Sequence, residues 1–181
     1  GLTTKHTNII LSICIPTYNR LQFVSFVIEN IINSPASKSI SYEIIVCYTE
    51  SGDGTKEYLK SVKEVKAYEI GQLNNKKSFV STATKANGKY ILFLNDHMFV
   101  KMKNIVKLIR DMELNNEIDC VLLSLTSSGI EVLNRRPIDP PSYEKVPGVA
   151  LHHLTLFKRE YVTKFDENYM RNFYVYDVVI N

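Results

Sequence analysis

Ile9-Ile-Leu-Ser-Ile-Cys-Ile15 is a nearly unbroken apolar run, and a run of that kind has to be covered on both faces, as the central strand of a parallel sheet is. Pro16 follows and stops it. Val24, Val27, Ile28, Ile31 and Ile32 then recur at helical spacing as far as Asn33-Ser34-Pro35, and Glu43-Ile-Ile-Val-Cys47 is a second strand-like run. Strand, helix and strand in this order make a right-handed crossover unit. The chain is thereby committed to an α/β architecture.

The alternation continues downstream. Ser51-Gly-Asp-Gly-Thr55 is a turn able to cap a helix that carries Leu59 and Val62. A short strand from Lys66 to Ile70 and a helix from Lys76 to Ala86 lead into the strand Tyr90-Ile-Leu-Phe-Leu94. Ile105, Leu108, Ile109 and Met112 mark one face of a further helix, and Asp119-Cys-Val-Leu-Leu-Ser124 reads as a strand. From Ser127 to Val146 the pattern dissolves into a long loop containing Arg135-Arg-Pro-Ile-Asp-Pro-Pro-Ser142, placed to act as a lid. Gly148 to Phe157 resumes as a strand, and Lys158 to Lys164 reads as a short helix before Phe165-Asp-Glu167.

With 181 residues, 45% of them hydrophobic, the chain can bury one sizeable core, so residues 1–181 are expected to form a single domain, whole or as a piece of a longer polypeptide. A net charge of +3 is too mild to call for a nucleic-acid partner. Cys14, Cys47 and Cys120 all lie in apolar runs without metal-ligand spacing and read as buried thiols of a reducing compartment. No stretch is apolar for long enough to span a bilayer, and the first residues lack a signal-peptide core. The expected location is cytoplasmic, or peripheral at the inner membrane face, where Lys101, Lys103, Lys107 and Arg110 suit anionic lipid as well as plain solvation.

Asp96-His97 directly follows the run that ends at Leu94 and Asn95. A carboxylate and an imidazole at the end of a parallel strand offer two metal ligands at the carboxyl edge of the sheet, where open α/β folds place their ligands. Asp96 as the cap of the next helix, with His97 a plain strand-end residue, is the other reading of the same pair. His152 and His153 are adjacent on a later strand and should point to opposite faces. One of them is available as a third ligand or an acceptor contact, although a surface or core histidine is the plainer assignment.

Five separated segments together resemble one family: Leu11-Ser-Ile-Cys-Ile-Pro-Thr-Tyr-Asn-Arg20, Glu43-Ile-Ile-Val46, Gly52-Asp-Gly-Thr55, Ala86-Asn-Gly-Lys-Tyr-Ile-Leu-Phe-Leu94 and Phe165-Asp-Glu167. In order and spacing the chain resembles the family-2 glycosyltransferases of GT-A fold, with a Rossmann-like, mostly parallel central sheet and helices on both faces. The resemblance implies inverting transfer of a sugar from a nucleotide diphosphate donor, a UDP-sugar first, to a hydroxyl of a glycan or lipid-linked acceptor. It carries over Pro16, Thr17 and Tyr18 as donor-site residues, with Asn19 and Arg20 beside them. Where the family has paired aspartates after its second strand, this chain has Tyr48-Thr49, which leaves Thr49 as the base contact, with Glu50 and Asp53 near. Asp53 and Thr55 read more simply as turn and cap residues.

The resemblance further places Asp96 at the donor ribose or the metal, and His97 where a metal-binding carboxylate usually stands. An imidazole adds no negative charge and is softer than a carboxylate, which favours Mn²⁺ over Mg²⁺. The family's catalytic base falls on Asp177, preceded here by Tyr176 instead of an acid. Lys76 and Lys77 are placed to assist a phosphate or simply to face solvent. Two rival readings are a nucleotide-sugar-binding domain with weak or no catalysis, suggested by Tyr48, Thr49, Asn95 and Tyr176 in place of acids, and a sugar-phosphate nucleotidyltransferase, for which the first strand lacks a glycine-rich phosphate loop.

Overall fold

The computed structural model describes residues 8–71, 81–116, 120–122, 143–145, 155–160 and 174–177. Strand β1 (Leu11–Tyr18) lies between β2 (Tyr42–Thr49) and β4 (Tyr90–Phe93), with β3 (Val65–Glu69) outside β2, and these four strands are parallel. On the far side of β4 come β7 (Thr155–Lys158), β5 (Cys120–Leu122), β8 (Tyr174–Asp177) and β6 (Tyr143–Lys145), which gives the order β3-β2-β1-β4-β7-β5-β8-β6. Strand β7 runs antiparallel to both β4 and β5, β8 is parallel to β5, and β6 is antiparallel to β8. It follows that β5 and β8 point the same way as β1 and β4. A mostly parallel sheet was the expectation, and it is what the chain forms.

One face of this sheet is built from alternate residues, Leu11, Ile13 and Ile15 of β1 with Ile44, Val46 and Tyr48 of β2 and Leu92 and Leu94 at β4, all buried in one core. Against it pack α1 (Leu21–Asn33) through Val24, Val27, Ile28 and Ile31, and α3 (Met102–Leu114) through Ile105, Leu108, Ile109 and Met112. Between them in the chain lies α2 (Thr55–Ser61), which adds Leu59. Each such aliphatic side chain contributes roughly 1.5–3 kcal/mol when fully buried. On the opposite face Phe93 and Phe157 meet edge to face at 5.0 Å, and a helical turn at 81–84 places Thr82 against the Cys47 thiol. Helical structure is therefore present on both faces, on the second as this single turn among the described residues. Burial pushes the thiols of Cys14 and Cys47 above their ordinary range, in keeping with inert core residues.

Two expectations need correcting. Pro16 does not stop β1, which runs on to Tyr18. Even-numbered residues of β1 face β4, and that ladder is finished once Leu94 N donates to Cys14 O, so the N–H that proline lacks has no partner to lose there. The stretch from Ser127 to Val146 is not loop throughout, because Tyr143–Lys145 forms β6 against β8. A three-residue strand is too short to leave a periodic signature. The helical pattern ends at Asn33 as expected, and a separate 3₁₀ helix follows at Pro35–Ser39. Lys76 and Lys77, His152 and His153, the prolyl segment at 135–142 and Phe165-Asp-Glu167 lie outside the described residues.

The amino-terminal side of the parallel strands is held by a buried acid. Glu43 accepts hydrogen bonds from Ser12 Oγ at 2.6 Å, Asn87 N at 2.7 Å and Lys66 Nζ at 2.7 Å, while Ser12 Oγ accepts from Gly88 N at 2.8 Å. Gly88 approaches β1 so closely that a Cβ there would lie 2.7 Å from Ser12 N. Only glycine fits that contact, and it sets where β4 begins.

Candidate donor and metal site

The carboxyl ends of β1, β2 and β4 stand side by side, with β1 in the middle. Beyond β1 the chain turns at Asn19, whose φ of +50° is a left-handed conformation that asparagine tolerates better than most residues. Arg20 then opens α1. Its side chain makes no cap; Leu21 N donates instead to Asp53 Oδ2 at 3.2 Å, from the turn after β2.

Thr17 is buried and donates its hydroxyl to Asp96 Oδ2 at 2.9 Å. The other carboxylate oxygen, Oδ1, lies 3.4 Å from Arg20 Nη1 and 3.1 Å from His97 Nδ1, and those two nitrogens are 3.2 Å apart. Arginine can only donate. The two contacts ask for opposite tautomers: with the imidazole proton on Nδ1, that nitrogen donates to Oδ1, whereas with the proton on Nε2 it accepts from Arg20 Nη1. Asp96 is buried, whereas the side chains of His97 and Arg20 are about half exposed, at 42% and 50%. A ligand arriving from solvent meets the imidazole and guanidinium first and finds the carboxylate beneath them.

The other expected donor residues share this edge. Pro16 pairs with Cys47, Thr17 with Tyr48 and Tyr18 with Thr49, and Tyr18 is 53% exposed, with a free face for stacking. Thr49 Oγ1 donates to Gly71 O at 2.7 Å, so its hydroxyl proton is already used and only its lone pairs remain for a base N–H. Tyr48 is buried in the core. Asp53 is a turn residue: Oδ1 accepts from Ser51 Oγ, Thr55 N and Thr55 Oγ1, and Oδ2 from Leu21 N. Burial raises the Asp53 carboxyl, but those hydrogen bonds outweigh it and bring the pKa down to about 2. Glu50 Oε1 accepts from Ser51 N and Gly52 N. Asp53 is therefore not spare for a metal, while among the described residues Glu50 Oε2 faces only Lys56 Nζ, at 3.8 Å.

Asp177 is the last residue of β8, paired with Leu122 of β5. Because β8 runs parallel to β4, Asp177 reaches the same carboxyl edge as Asp96. Three strand steps separate β4 from β8, on the order of 14 Å across a flat sheet. Sequence reasoning singled out Thr17, Arg20, Asp96 and His97 but not their mutual bonding, and it missed Asp53 as the cap of α1. The signal for Asp53 was present in Ser51-Gly-Asp-Gly-Thr55, a turn with a carboxylate at its centre.

Among the described residues no group of three or more His, Cys, Asp or Glu side chains is arranged to hold a metal ion. Asp96 and His97 could supply two ligands of mixed type, a set that would fit a cation taking its remaining positions from substrate phosphate and water. Among the described residues no helix is long and apolar enough to cross a membrane.

Comparison with known proteins gives a consistent result. The family model for Glycosyl transferase family 2 matches residues 12–172. Similar solved structures include S. aureus TarS 1-349 in complex with UDP-GlcNAc, at 13% identity and TM-score 0.63 over 86% of this chain and 47% of that one. The same protein in complex with UDP matches at 13% identity and TM-score 0.65 over 86% of this chain and 48% of that one. The mannosyltransferase PcManGT from Pyrobaculum calidifontis, in complex with GDP-Man and Mn²⁺, matches at 14% identity and TM-score 0.62 over 88% of this chain and 47% of that one. At such identities the likeness concerns the fold, and the chain spans about half the length of these neighbours. A search of curated protein sequences returns no match.

Proposed function

The chain belongs to glycosyl transferase family 2, and from that premise we propose that it is an inverting transferase moving a sugar from a UDP-sugar donor to a hydroxyl of a glycan or lipid-linked acceptor. The observation that carries this reading is the bonding of Asp96 to Thr17 and Arg20, which joins the residues after β4 to the end of β1 and the turn that follows it. Two neighbours of the same fold bind nucleotide diphosphate sugars or their nucleotide, UDP-GlcNAc and UDP in one case and GDP-Man with Mn²⁺ in the other.

In this proposal Pro16, Thr17 and Tyr18 form the nucleotide wall, Tyr18 stacking on the base and Thr49 accepting from it. Asp96 and His97 would hold a divalent ion, Mn²⁺ in preference to Mg²⁺, whose chemistry is to neutralise charge on the departing diphosphate. Arg20 lies beside both and offers donors to a phosphate oxygen. Asp177 accepts the proton of the acceptor hydroxyl as that oxygen attacks the anomeric carbon from the face opposite the leaving group. The C–O bond to the diphosphate breaks with its electron pair on the nucleotide, and no covalent enzyme intermediate forms.

A nucleotide-sugar-binding domain without turnover remains the rival, favoured by the neutral Thr49 hydroxyl already committed to Gly71 O. Donor hydrolysis separates the two. With UDP-sugar, Mn²⁺ and no acceptor, a transferase slowly releases free sugar and UDP. Tight, metal-dependent binding with no release over long incubation would assign the chain to the binding class.

A further inference from the structure

α1 and the start of α3 border one cavity on the surface. Phe23 and Phe26 on α1 are 53% and 59% exposed, and Phe99, in the loop before α3, meets Phe26 edge to face with ring centroids 4.7 Å apart. A cavity of about 660 Å³ opens between those two rings and the first turn of α3, with Lys101 and Lys103 on its wall. Asn30 Nδ2 donates to Val100 O at 3.2 Å and fixes the Phe99 loop against α1. From there Lys103, Lys107 and Arg110 follow one another at helical spacing on the exposed side of α3. None of the three forms an ion pair with a described residue. Three acids lie nearby: Glu29, on the cavity wall, faces the Tyr58 hydroxyl, Glu113 pairs with Lys89, and Asp111, one residue after Arg110 and four after Lys107 on α3, offsets part of the positive charge.

Large aromatic rings left in water beside a row of cations match the boundary of an anionic bilayer, where rings enter the headgroup region and ammonium and guanidinium groups lie among phosphates. We propose that this face docks on an anionic lipid bilayer through Phe23, Phe26 and Phe99, with Lys103, Lys107 and Arg110 supplying the electrostatic attraction. Charge complementarity selects this occupant. A protein partner would meet an apolar centre flanked by cations that it must match with acids, and a second copy would bring like charges together. Both α1 and α3 begin at the strand edge that carries Asp96, so docking brings the lipid surface alongside the mouth of the site. The inference stands on the surface alone and does not require the transferase reading.

The test is co-sedimentation of the full chain with phosphatidylcholine vesicles and with mixed phosphatidylcholine–phosphatidylglycerol vesicles, at low and high salt. Binding is expected to the mixed vesicles only and to weaken as salt rises. Lys107→Gln with Arg110→Gln should lower the partition coefficient at least about tenfold, since each cation near such a surface is worth about fivefold. Phe26→Ser with Phe99→Ser should lower it comparably. Circular dichroism and thermal unfolding report separately that both variants remain folded. The proposal is overturned if the wild type pellets with neither vesicle, if the charge variant binds as well as the wild type, or if light scattering shows the Phe26 and Phe99 pair holding a dimer instead.

Discussion

Thr17 Oγ1 and Asp96 Oδ2 are 2.9 Å apart although 79 positions separate them in the chain, and the exposure of each residue is below a tenth. A buried carboxylate requires donors. Thr17 serves one of its oxygens and Arg20 the other, so the groups that hold this strand edge together include those proposed to bind the donor.

Thr17→Val keeps the shape of the side chain and removes the hydroxyl. It should cost about 1–3 kcal/mol in urea-induced unfolding, since Asp96 Oδ2 loses its donor without gaining water. UDP affinity, measured by calorimetry, should fall as well, and Thr17→Ser should recover most of both losses. An unchanged unfolding midpoint for the valine variant would show that this hydrogen bond holds nothing.

His97 sets the choice of metal in the proposed site. Replacing it by Asp adds a hard, charged oxygen ligand where an imidazole stands, which suits Mg²⁺. Calorimetry of UDP with each ion should show a preference for Mn²⁺ in the wild type that narrows or reverses in His97→Asp. His97→Ala should weaken metal-dependent UDP binding at least about tenfold. Equal Mn²⁺ and Mg²⁺ affinities in the wild type would remove His97 from the ligand set.

Asp177 should separate chemistry from binding. A positioned base contributes typically about 10²–10⁴-fold, so Asp177→Asn should lower kcat of transfer by that order and leave the calorimetric affinity for UDP with Mn²⁺ unchanged. A loss of donor affinity in parallel with the rate would make Asp177 a binding or structural residue.

The central sheet and its principal helices were legible because β1, β2 and β4 are buried on both faces and read as apolar runs, while α1 and α3 show unbroken helical periodicity. The continuation of β1 past Pro16 was not, since tolerance of a proline depends on where a neighbouring ladder ends, and that is a property of the sheet. Likewise β6 and β8 are three and four residues long and owe their conformation to pairing. At the site the residue types were readable and their bonding was not. Asp96 and Thr17 announce themselves as polar residues at strand ends, but only the crossover that sets β4 beside β1 makes them partners. Glu43 carried a signal that went unused: a carboxylate within an apolar strand must have donors waiting for it.

That carboxylate gives the fold an acid dependence of its own. Burial raises the Glu43 pKa, but hydrogen bonds from Lys66, Ser12 and Asn87 N outweigh burial and hold it below the ordinary glutamate value. A pKa lower in the folded than in the unfolded state means that ionised Glu43 stabilises the fold. The contribution is complete above the unfolded value of about 4.3 and disappears as pH falls through the lower folded one. Glu43→Gln removes that charge at every pH. It should lower the thermal midpoint by about 4–10 °C near neutrality, as expected when a buried charged acceptor is lost from a chain of this size. Between about pH 5 and pH 3 the wild-type midpoint should then drop more steeply than that of the variant, so that the two curves converge. Differential scanning calorimetry across that range decides it: parallel curves would mean that the acid sensitivity belongs to other carboxylates, with Asp53 the next to replace.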